Sequence, residues 1–133
     1  MTAIPRLLSR VTSEFRGIAI RRSVDDSGSI EFAHLVAPGW DVDFRVWEFG
    51  GEIRADLDGC ELLLADSSGG GLEVLTLLRE LRDNGFTVAR QQRPDYIRVT
   101  LGTGGGRVVG ACGLRLPWIP LKESVYPPWS GSS

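Results

Sequence analysis

Apolar and polar positions alternate most cleanly over residues 42–58, VDFRVWEFGGEIRADLD. Two arms of period two flank Gly50–Gly51, and a glycine pair accepts the positive φ angles of tight hairpin turns. Pairing the arms across that turn sets Phe49 opposite Glu52, Trp47 opposite Arg54 and Arg45 opposite Asp56. Phe44, Val46, Ile53, Ala55 and Leu57 then form a core face. The other face carries Arg45, Trp47, Phe49 and Arg54 among the carboxylates Asp43, Glu52, Asp56 and Asp58. A slip of one residue would exchange the two faces.

The remaining pattern predicts a helix at each of two places and strands elsewhere. Ile4, Leu7, Leu8, Val11 and Phe15 fall on one helical stripe, with Pro5 in the first turn and Thr2 placed to cap it, so a short amphipathic helix is expected over residues 3–15. A longer helix is expected over about 71–84, where Val74, Leu75, Leu78 and Leu81 form the stripe and Gly85 supplies a left-handed stop. Strands are expected at 17–24 and 29–36, reversed by Asp25–Gly28, and again at 86–91, 96–101 and 107–112. CELLLA at 60–65 reads as a central strand buried on both faces, because three leucines in a row leave no polar side. The order of elements predicts an α+β fold: a mainly antiparallel sheet with the two helices packed on one face, in a single domain over 1–116. Residues 117–133, rich in proline and tryptophan, are expected to form an extended, partly packed tail.

Composition narrows the class of protein. A chain of 133 residues suits one domain with an ordinary core. Fifteen basic against seventeen acidic residues give a net charge of −2, without the basic excess of nucleic-acid binders, and no nucleic-acid partner is expected. Cys60 and Cys112 make neither a disulfide framework nor a C-x-x-C pair, and with the single His34 they show no ligand spacing, so no metal and no cofactor is expected. No apolar run is long enough to span a membrane and no secretory leader is visible, which leads to the expectation of a cytoplasmic protein without a membrane partner.

Two regions carry candidate chemistry. The first is the outer face of the hairpin, where Arg45, Trp47, Phe49 and Arg54 interleave cations with aromatics, the mixture that protein interfaces favour. The second is DSSGGG, residues 66–71, opening the long helix: the amides and hydroxyls of Ser67, Ser68, Gly69, Gly70 and Gly71 would suit an anion, although Asp66 opposes one and the same residues serve as a helix cap and linker. The loop lacks the Gly-Lys-Ser/Thr end of a Walker motif. His34 shares an alternating face with Ile30 and Phe32, the setting of a packed or interface histidine. A Ser–His–Asp set exists on inventory alone, from Ser67 or Ser68 with His34 and Asp66, and no G-x-S-x-G turn accompanies it.

DSSGGGLEVLTLLRELRDNG, residues 66–85, resembles the Asp-Ser-Ser-Gly loop and following helix of STAS domains, the anti-sigma-factor antagonist family. That resemblance implies a phosphorylation switch at Ser68, which would add about two negative charges beside Asp66. STAS domains have further helices after this one, whereas strands are read here. The sequence therefore points first to a small non-enzymatic binding or regulatory module acting on a protein partner or as a homodimer. An anion-binding protein or small enzyme using Ser67–Gly71 is the alternative, and a STAS-like regulator the third reading.

Overall fold

The computed structural model describes residues 4–64, 72–103 and 106–128. The fold is α+β, with two helices and two antiparallel sheets. Helix α1 runs Ile4–Glu14, followed by β1 (Ala19–Val24), β2 (Glu31–Val36), β3 (Phe44–Phe49), β4 (Glu52–Leu57) and β5 (Cys60–Glu61). Helix α2 (Leu72–Asn84) leads to β6 (Phe86–Gln91), β7 (Tyr96–Leu101), β8 (Val108–Gly113) and β9 (Lys122–Tyr126). The first sheet has the order β1-β2-β3-β4-β5 and the second β8-β7-β6-β9. The strands expected as one sheet thus divide between two. By internal contacts the chain splits into two compact units, residues 1–59 with 64–77, and residues 60–63 with 78–133.

In the first unit the hairpin forms in the expected register. Phe44 pairs with Leu57, Arg45 with Asp56, Val46 with Ala55, Trp47 with Arg54 and Phe49 with Glu52. Gly50 and Gly51 take φ of 61° and 82°, a pair of left-handed residues that side chains bearing Cβ adopt only under strain. Phe44, Val46, Ile53, Ala55 and Leu57 are buried, as are Leu7, Leu8 and Val11 on the stripe of α1. Asp56 departs from the expected solvated face: it lies on the outer side of the sheet yet is buried beneath Arg45. Nothing is fixed here about Thr2, the expected cap of α1, which lies outside the described residues.

In the second unit β6 is the hub, paired with β7 on one side and β9 on the other. Strand β9 falls inside the segment expected only as an extended tail; it is held by a full register from Phe86–Tyr126 to Arg90–Lys122 and by Phe86 stacked on Tyr126 at 4.6 Å. Gly85 ends α2 with φ of 75°, its N–H donating to Leu81 O. A Cβ there would meet the backbone oxygen of Tyr126 at 2.5 Å, so glycine serves both the helix stop and the close passage of the chain after β9. The stripe residues Val74, Leu75, Leu78 and Leu81 are all buried. CELLLA is the clearest correction. Among its described residues, 60–64, only Cys60–Glu61 is strand, and Leu63 is 71% exposed, its N–H bonding Val109 O while its side chain turns to solvent.

Gln91 joins the segments beyond β6. Its Nε2 donates to Pro94 O (2.7 Å) and Leu114 O (2.8 Å), and its Oε1 accepts from Leu116 N (2.9 Å) and Arg115 Nη1 (2.8 Å). A buried amide with all these groups engaged locks the 114–116 segment to the β6–β7 turn.

Candidate functional site

The outer face of the first sheet brings together residues from four consecutive strands. The β1–β2 register pairs Arg21 with His34 and Ser23 with Phe32, and the β2–β3 register pairs His34 with Arg45. Alternation along each strand then puts Ser23, Phe32, His34, Arg45 and Trp47 on one surface, with Arg54 and Asp56 continuing it on β4. Two clusters form there.

The first is aromatic and cationic. Arg45 holds Asp56 through two parallel bonds, Nε to Oδ1 at 3.0 Å and Nη2 to Oδ2 at 2.5 Å. Asp56, bonded to it, raises the Arg45 pKa above its ordinary value, against the opposing effect of burial. The guanidinium also lies 4.4 Å from the Phe32 ring centroid and 5.9 Å from that of Trp47, and Phe32 meets Trp47 edge to face at 5.5 Å. Arg54 is placed 5.9 Å from the Phe49 ring and bonds Glu52 at 3.2 Å. The expected pairing of Arg54 with Trp47 holds as strand register, while the ring contact of Arg54 is with Phe49. Phe49 is 55% exposed and Trp47 half-buried.

The second cluster is a hydrogen-bonded chain. His34 Nδ1 lies 2.6 Å from Asp43 Oδ1 and His34 Nε2 lies 2.6 Å from Ser23 Oγ. A carboxylate has no proton to donate, so Nδ1 is the donor to Asp43; in the neutral ring Nε2 then accepts the Ser23 hydroxyl proton. His34 is buried, Ser23 exposed and the Asp43 side chain 45% exposed. His34 is thus packed, as its parity suggested, and also joined at both nitrogens. Its serine and aspartate partners are not Ser67, Ser68 or Asp66.

No family model, characterised protein or solved structure matches this chain. The functional reading therefore rests on the residues themselves. In the region that resembles STAS domains, α2 is followed by strands and by no further helix among the described residues. Ser67, Ser68, Gly69, Gly70 and Gly71, the candidate anion loop and phosphorylation site, lie outside the described residues.

The carboxylates of the outer face are each drawn to a different partner: Asp43 to His34, Glu52 to Arg54, Asp56 to Arg45, and Asp58 to the Asp43 N–H at 2.6 Å. Among the described residues no group of three or more acidic, histidine or cysteine side chains could hold a metal ion. No described helix is long and apolar enough to cross a membrane. Two depressions of about 390 and 440 Å³ lie on the second unit, the first beside Arg98 and Glu123 and the second beside Arg90 and Lys122. Trp118 is 76% exposed, and Tyr126 is buried against Phe86.

The sequence alone missed Ser23 and the role of Asp43. Their signal was present in two registers taken jointly: the Asp25–Gly28 turn sets Ser23 diagonally beside His34, and the approach to β3 then carries Asp43 to its other side.

Proposed function

We propose that this chain is a protein-binding module that meets a partner protein, or a second copy of itself, through Arg45, Trp47, Phe49 and Arg54 on the outer face of its first sheet. The observation that carries the reading is an exposed Phe49 continuous with a row of rings and guanidinium groups that are already seated on one another. Ordering such side chains before contact lowers the entropy lost on association. Arginines and aromatics are also the side chains on which interface energy concentrates. A cytoplasmic setting accompanies the proposal, since two free thiols, Cys60 and Cys112, suit a reducing compartment.

Size-exclusion chromatography with light scattering tests the self-association form on wild type, Trp47→Ala and Phe49→Ser. The mass should rise from 14.5 kDa toward twice that value with concentration in the wild type and stay at 14.5 kDa in both variants. A wild-type monomer up to about a millimolar ends that form of the proposal. A dimer that survives both substitutions places the interface elsewhere.

A further inference from the structure

The chain Ser23–His34–Asp43 does more than a packed histidine requires. A buried histidine needs one partner at each nitrogen, and a buried hydroxyl or a backbone N–H would serve at the accepting Nε2; here that partner is an exposed serine. The order of groups is hydroxyl, imidazole, carboxylate, with both links at 2.6 Å. In that order the carboxylate fixes the ring tautomer and leaves the Nε2 lone pair directed at the serine proton. We propose that Ser23 is a nucleophile for acyl transfer, with His34 as its general base and Asp43 as the residue that positions His34.

The substrate class is a carboxylic ester. Ser23 Oγ attacks the ester carbonyl while its proton passes to His34 Nε2. The C–O bond to the alcohol then breaks, and the departing alkoxide takes that proton from Nε2. Water, deprotonated by the same nitrogen, hydrolyses the acyl-serine, releases the carboxylic acid and restores the hydroxyl. Nothing is oxidised or reduced.

The surroundings of Ser23 fit an accessible acyl group. Strand β1 ends the sheet order, and Val24, the next residue, is 60% exposed. The Asp25 N–H donates to Ile30 O across the β1–β2 ladder. By the alternation of antiparallel bonds, the Ser23 N–H turns toward β2 and the Val24 N–H toward the open edge. That edge N–H is a donor of the kind that steadies an oxyanion. Ser23 and Val24 are both exposed on an edge strand, a setting that would suit an extended or small acyl ester over a bulky one that must be enclosed.

The test uses the full chain and a fluorophosphonate probe, which forms an Oγ–P bond and releases fluoride. Peptide mapping by mass spectrometry reads the modified serine. Ser23 should be labelled about 100-fold faster than Ser27 and Ser29, which share the same hairpin and lack a histidine partner. Labelling at this position should vanish in Ser23→Ala, and His34→Gln should slow it by about 100-fold. Asp43→Asn should slow it as well, and Asp43→Glu should restore part of the rate, which separates positioning from a general loss of packing. Labelling of Ser23 no faster than of Ser27 and Ser29 overturns the proposal, a comparison made within one folded molecule. Labelling that persists unchanged in a folded His34→Gln variant overturns it too. Neither outcome bears on the interface at Phe49, which is read by molecular mass.

Discussion

Removing either partner of the Arg45–Asp56 pair should destabilise the fold unequally, because the two ends are buried unequally. The Asp56 side chain is 4% exposed and that of Arg45 27%. Arg45→Met keeps an aliphatic stem against Phe32 and Trp47 but strands a carboxylate with almost no access to water. Breaking a fully buried pair costs about 3–5 kcal/mol, and water can follow the departing guanidinium here, so about 3 kcal/mol is expected. Asp56→Asn strands a guanidinium that already touches solvent and keeps its ring contacts. Its cost is that of one weakened charge-assisted bond, about 1.5 kcal/mol. With a slope near 1.5 kcal/mol per molar urea, the midpoint should fall by about 2 M for Arg45→Met and about 1 M for Asp56→Asn. The double variant Arg45→Met, Asp56→Val replaces the pair by apolar groups and should lie within about 1 kcal/mol of wild type. Urea unfolding followed by both tryptophan emission and far-ultraviolet circular dichroism reads all four proteins. Equal costs for the two single variants would refute the claim that the burden sits on the buried carboxylate. A double variant as unstable as the sum of the singles would show that packing, and not charge, is at stake.

Two further outcomes follow from groups away from that pair. Gln91→Leu removes a buried four-bond node and should cost about 3 kcal/mol, roughly 10 °C in Tm, with faster hydrogen exchange at the Leu116 amide; unchanged exchange there would detach Gln91 from the 114–116 segment. Asp25 has its pKa held below the ordinary carboxylate value, first by the Ile30 N–H, against the opposing effect of desolvation, and further by Ser27, Ser29 and Gly28. A lowered folded-state value means that the ion stabilises the fold above the unfolded pKa of about 3.9 and that this support is lost as pH falls through the lower folded value. Asp25→Asn should therefore lose less Tm between pH 6 and pH 2 (roughly that acid window) than wild type does, and an equal loss in both would contradict the linkage.

The parts legible in the sequence are those fixed by local chemistry. Gly50–Gly51 determined both turn and register, and the alternation on either side then assigned the core face of β3 and β4 residue by residue. The stripe and terminal glycine of α2 were equally local. What escaped depends on partners far along the chain. Strand β9, KESVY, has no clean period of its own and is a strand because the free edge of β6 receives it. CELLLA has the composition of a central strand, yet its leucines separate into buried Leu62 and exposed Leu63 once Leu63 bonds Val109. The division of antiparallel strands into two sheets leaves no trace in alternation, since one sheet and two sheets produce the same period.

The burial of Asp56 and the linking of His34 have a common origin that changes how the outer face should be understood. On sequence it reads as a solvated mixture of charges. In three dimensions two of its acids meet arginines, Asp56 on Arg45 across β3 and β4 and Glu52 on Arg54 within β4, while Asp43 takes the N–H of His34. Charge neutralised in the two arginine pairs projects little field beyond the Debye length of about 8 Å, so those four groups add little to electrostatic steering. What the face offers instead is short-range: the Phe49 ring at the tip of the hairpin and the Ser23 hydroxyl on the edge strand β1. The same internal pairing that removes long-range charge holds the rings and the imidazole in place. Rigidity of these groups is the shared condition for the proposed contact at Phe49 and the proposed proton transfer at His34, and Arg45, opposite His34 in the register and bonded to Asp56, shares strand β3 with Phe49.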